Sequence, residues 1–185
     1  METTFDEFKL RVLKQVSDLY LKEDTNTPIL CFQDGDGKNR LLRLPPEVFR
    51  TASYKEFLPG IIGRMLRDTE AKHVALIMEC VMTSIDTTTL SDENSFGEGE
   101  VAKSVARKII EHRDTDKEPS FNEEEHRIIV EVLGKSRIVF LFQSKTDKDA
   151  FLSFTKDDQG RLQPSSEKSE GEKFKGAFAN LFKFE

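Results

Sequence analysis

HRIIVEVLGKSRIVFLFQS, His126 to Ser144, is the stretch on which the fold turns. Ile128, Val130 and Val132 alternate with Ile129, Glu131 and Leu133, and beyond Gly134 a second run sets Ile138, Phe140 and Phe142 at the same period of two. That pattern predicts a β-hairpin. Placing the apolar sets of both arms on one face puts Val132 opposite Ile138 and Leu133 opposite Arg137, so the predicted loop is Gly134, Lys135 and Ser136. Val139 and Leu141 are apolar as well, which gives the second arm cover on both faces and a place inside a sheet.

Outward from this hairpin, the polar turn after Ser144 leads to AFLSF (150–154), a predicted third strand, and DDQG turns again toward a short edge at Arg161 to Gln163. Upstream, HVALIMECVMTSI, His73 to Ile85, is apolar on both faces and predicts a central strand. Ile29–Gln33 and Arg40–Leu44 flank DGDG as a second hairpin. Asp34 and Asp36 imitate the start of a calcium loop, but Lys38 holds the third ligand position, Asn39 replaces the glycine and Pro45 stands where the bidentate glutamate belongs.

Helical spacing appears three times. Phe5, Phe8, Val12, Val16, Leu19 and Tyr20 form one stripe behind a Thr3 or Thr4 cap. Ile61, Ile62, Met65 and Leu66 form a second beyond Pro59. Val101, Val105 and Ile109 form a third, with Lys103, Arg107 and Lys108 as a solvated face. The intervening PPEVFRTASYKEF (45–57) reads as a short helix or a turn-rich passage, and 86–98 as an exposed loop. The predicted architecture is α+β: one domain over 1–163 with a mixed, mostly antiparallel sheet of four to six strands and helices near 4–22, 59–71 and 99–112. PSSEKSEGE (164–172) has linker composition. The tail, 173–185, spaces Phe174, Phe178, Leu181 and Phe182 as a short amphipathic helix, which Gly176 weakens.

Composition narrows the function more by exclusion than by assignment. A net charge of −6 disfavours a general nucleic-acid binder, which needs a positive surface to displace phosphate counterions. Cys31 and Cys80 form no CxxC motif and read as small buried hydrophobes. METTFDEFKL lacks a basic region followed by an apolar one, and Val74–Met82, the longest apolar run, is broken by Glu79 and falls short of the roughly 20 residues a bilayer span needs. The expected location is cytoplasmic.

Catalytic and metal motifs are weak throughout. Gly134, Lys135 and Ser136 imitate the end of a phosphate loop, but Ile129 stands where its first glycine belongs. His126 beside Glu123, Glu124 and Glu125 lacks the spacing of a metal set, and neither His73 nor His112 supplies it. No serine sits in a GxSxG context. Glu79, inside an apolar run, has to be ion-paired, protonated or at an exposed edge. For an enzyme, Glu79, His126 and Glu131 are the candidate acid–base groups, and they would have to converge in one pocket.

HVALIMECVM (73–82), PSFNEEEHRIIVEVL (119–133) and RIVFLF (137–142) together resemble the spine of small uncharacterised bacterial and phage proteins, over residues 60 to 155. These proteins have no established activity, so the resemblance implies an accessory factor and assigns no site residue. The leading expectation is a non-catalytic module that binds another protein or itself, through its sheet edge or through Phe174, Phe178, Leu181 and Phe182, with no cofactor, metal, nucleic acid, small molecule or membrane partner. The tail phenylalanines have three other destinations to weigh against a partner's groove: their own domain, a second copy, and, least favoured by their mixed Lys and Glu neighbours, a membrane surface.

Overall fold

The computed structural model describes residues 3–23, 27–85, 90, 92–165 and 178–183, excluding the Val48 side chain. The chain divides into two compact units: 1–80 with 137–185, and 81–136.

An antiparallel sheet, all but two residues at one end of each of its two longest strands, builds the first unit. Its strands are β1 (Ile29–Gln33), β2 (Asn39–Arg43), β3 (His73–Met82), β4 (Lys135–Ser144), β5 (Ala150–Lys156) and β6 (Leu162–Pro164), in the order β2-β1-β3-β4-β5-β6. Residues face one another as Cys31 with Ala75, and Phe140 with Leu152. The start of β3 lies beside the end of β4, where the Lys145 N–H donates to the Lys72 carbonyl at 3.0 Å. The DGDG segment is the β1–β2 turn: Gly37 takes φ +80°, and the Asp34 carboxylate accepts from the Lys38 N–H at 2.8 Å and from Arg40 at 2.9 Å.

Period-two alternation sends each strand's side chains to opposite faces, and both faces are covered. On one side, α1 (Phe5–Lys22) packs Phe5, Phe8, Val12, Val16 and Tyr20 onto Ile29, Cys31, Ala75, Ile77, Ile138, Phe140 and Phe142. The helix starts at a capping box in which Thr4 and Glu7 bond each other's backbone N–H. On the other side, Leu30, Phe32, Val74, Leu76 and Leu141 meet α2 (Ala52–Asp68) and a C-terminal 3₁₀ turn, Leu181–Lys183. Ile138 to Gln143 are therefore six consecutive buried residues, as expected of a strand inside a sheet.

The predicted 126–144 hairpin does not form. Its second arm is β4, but its first is helix α4 (Glu123–Leu133), in the second unit. Asn122 and Glu125 close a capping box, with the Glu125 N–H donating to Asn122 at 2.9 Å, and three glutamates in the first turn complement the helix dipole. These terminal signals outweigh the strand preference of Ile128, Ile129, Val130 and Val132. Gly134 then stops the helix. A Cβ there would lie 2.2 Å from the Val130 carbonyl oxygen, so the predicted hairpin glycine is a helix terminator packed against the last turn.

Two further expectations change. The helix predicted to begin at Pro59 begins at Ala52, and Pro59 lies buried inside it. The loss is confined to one backbone bond, the one the Lys55 carbonyl would otherwise accept. At the C-terminus, the expected amphipathic helix is a turn at residues 178–180 followed by the 3₁₀ turn. Phe174 and most of the expected linker lie outside the described residues.

The second unit pairs α3 (Glu100–His112) with α4. Its core holds Phe96, Ala102, Val105, Ala106, Ile109 and Ile129. Glu125, only 2% exposed, ties the pair together. It accepts from Ser104 Oγ and Lys108 Nζ, both at 2.7 Å, and from the Asn122 N–H at 2.9 Å.

Candidate interaction surface

Helix α2 presents two unlike faces. Ile62, Gly63 and Leu66 point into the core, with Leu58 and Met65 half-buried at its margin. Tyr54, Phe57 and Ile61 point the other way, at 53%, 67% and 63% exposure. The positions 54, 57, 58, 61 and 65 follow spacings of three, one, three and four, which place them along one helix side. The first turns, 51–57, are exposed at every position, so this part of α2 carries a stripe with no cover among the described residues. Single exposed hydrophobes need no explanation; an aligned tyrosine, phenylalanine and isoleucine do.

Next to this stripe lies a shallow groove lined by Phe57, Gly60, Ile61, Arg64, Met65, Arg67, Asp68 and Thr69. Gly60 forms its floor: a Cβ at that position would meet nothing within 4 Å. Arg64 and Arg67 are exposed, and neither is within ion-pair distance of a carboxylate among the described residues. Thr69 closes the helix by donating its hydroxyl to the Met65 carbonyl at 2.8 Å.

The residues singled out in the sequence are placed differently. Phe178 is 6% exposed and Leu181 is fully buried, both in the core beneath α2, with Phe182 half-buried at its edge. Phe178 stacks at a tilt on Phe49, ring centres 5.2 Å apart, and Lys145 Nζ lies 5.5 Å over the Phe182 ring. Gln143, 2% exposed, holds this turn through both ends of its amide: Nε2 donates to the Phe178 carbonyl at 2.6 Å and Oε1 accepts from the Leu181 N–H at 2.8 Å.

Glu79 is exposed on β3, where its charge adds to burial in pushing the Tyr20 hydroxyl up to about 12. His126 and Glu131 are exposed on α4. None of the three lines the α2 groove. Among the described residues no group of three or more His, Cys, Asp or Glu is arranged to hold a metal.

Two polar constellations were missed in the sequence. His73, 4% exposed, sits 3.0 Å from Ser144 Oγ and stacks on Phe5, and the Ser144 hydroxyl also meets Asp147 Oδ2 at 3.1 Å. Serine stands between the histidine and the aspartate, and its oxygen accepts from the Thr146 and Asp147 N–H groups, so this is a turn staple without the geometry of an activated nucleophile. The second is Glu125, held at about 2 by the Lys108 ammonium first and the Asn122 N–H next. Its signal was the spacing Asn122-x-x-Glu125. The signal for the α2 stripe was the 54-57-61 spacing, which the reading of Pro59 as a helix start cut in two.

Comparison of the chain with family models, curated proteins and solved structures finds no match.

Proposed function

We propose that the protein is a non-catalytic interaction module that docks another protein on the outer face of α2. The observation that carries this reading is the aligned exposure of Tyr54, Phe57 and Ile61 beside a groove. Two other routes are less well supported. The C-terminal phenylalanines Phe178 and Phe182 pack into their own unit. The sheet edges are guarded: β2 carries Arg40 and Arg43 and is followed by Pro45, and β6 is three residues long and ends at Pro164.

Burying Phe57 and Ile61 would contribute about 2 kcal/mol each, with Tyr54 adding a comparable amount. Against an association cost of at least about 4 kcal/mol, this supports a transient complex. A cytoplasmic accessory role, of the kind implied by the likeness to small bacterial and phage proteins, belongs to the same proposal; both cysteines are free thiols, Cys31 among the core residues.

The test is a photo-crosslinking amino acid placed at Phe57 in the cell. A discrete protein adduct that disappears with Ile61→Asp is expected. An adduct unchanged by that substitution, or none above that from a probe at exposed Arg11, contradicts the reading.

A further inference from the structure

The chemistry around the α2 groove also selects the partner. Some cations elsewhere in this unit are ion-paired, as Lys9 is with Asp6, Arg40 with Asp34, Arg43 with Glu23 and Arg161 with Asp157, and others are not. Arg64 and Arg67 have no carboxylate within ion-pair distance among the described residues, and both border the groove. Asp68 shares that border without pairing with either. On a chain of net charge −6, the groove thus joins an apolar floor to a local pair of cations.

We infer that its occupant is an amphipathic helical segment of another protein, with apolar side chains seated on Phe57, Gly60 and Ile61 and acidic side chains facing Arg64 and Arg67. This rests on the docking role proposed above. Gly60 lowers the helix surface so that a large side chain can reach the backbone between Phe57 and Arg64. Helical rise puts those two residues roughly 10 Å apart, about two turns of a partner helix. A carboxylate is the complement an exposed arginine fork binds best.

A second copy fits less well. Docking on itself would bring together two chains that each carry a net charge of −6.

The experiment uses the full chain and a set of labelled helical peptides with leucines at i, i+3, i+4 and i+7. Their flanks are glutamate, glutamine or lysine, and binding is read by fluorescence anisotropy. The glutamate-flanked peptides are expected to bind about tenfold more tightly than the lysine-flanked ones at low salt, with the gap closing as salt rises. Arg64→Glu with Arg67→Glu should reverse the order, and Ile61→Asp should weaken every peptide; Ile61→Ser replaces it if the aspartate variant fails to fold. Equal binding of glutamate and lysine peptides, both weakened at Ile61, would overturn the acidic partner while leaving docking intact. Binding indifferent to Ile61 would remove the docking role as well. No binding by glutamate peptides, together with a sedimenting dimer that Ile61→Asp dissociates, would overturn the inference in favour of a second copy.

Discussion

The C-terminal turn and the outer side of α2 are both short, phenylalanine-bearing segments, and the fold uses them in opposite ways. Phe178 and Leu181 are buried among Leu30, Leu76 and Leu141, and Gln143 satisfies their backbone. Phe57 and Ile61 are left in solvent. Phenylalanine spacing alone does not separate the two. What separates them is a buried amide: Gln143, alone among the apolar residues of Ile138–Gln143, is placed to bond a docked chain end. A polar side chain in a strand interior marks where an irregular segment lands.

This contrast predicts a wide gap in stability effects. Leu181→Ala should cost about 3 kcal/mol in chemical denaturation, the usual scale for a fully buried leucine. A cost under about 1 kcal/mol would mean that the turn is not part of the core. Gln143→Ala should cost about 2 kcal/mol, because the Phe178 carbonyl and the Leu181 N–H lose their partner inside the core.

The helical unit supplies a smaller, pH-dependent effect. Glu125 titrates near 4.5 unfolded and is held at about 2 when folded, so its contribution is fully present above 4.5 and disappears as pH falls toward 2. Amide protection in α3 and α4, taken relative to the intrinsic exchange rate at each pH, should therefore fall through that window, and Glu125→Gln should flatten the dependence. At the low end, Phe57→Asp and Ile61→Asp should shift stability by under about 0.5 kcal/mol while abolishing association. A large loss of stability from either would place that residue in the core rather than on a docking face.

Much of the sheet was legible in the sequence. Alternation fixed both faces of β4, and two-sided apolarity fixed β3 as central, because burial on both sides leaves a continuous hydrophobic run. The first arm of the predicted hairpin was not legible from the same signal. IIVEVL has a strand's composition, yet only Ile129 is buried, with Ile128 and Leu133 half-buried, and Val130 and Val132 face solvent. The deciding information was at its ends, in Asn122, the glutamate run and Gly134. Pro59 misled in the other direction: proline's preference for a helix start hid the two exposed turns before it, and with them the stripe.

The measurement that bears most directly on the docking face is residue-level oxidative footprinting of the purified protein and of the same protein in the cell. Tyr54, Phe57 and Met65 should be modified readily when the protein is pure and protected in the cell, while exposed Leu10 on α1 stays equally reactive in both. Equal modification of Tyr54 and Phe57 in the two settings would contradict the account.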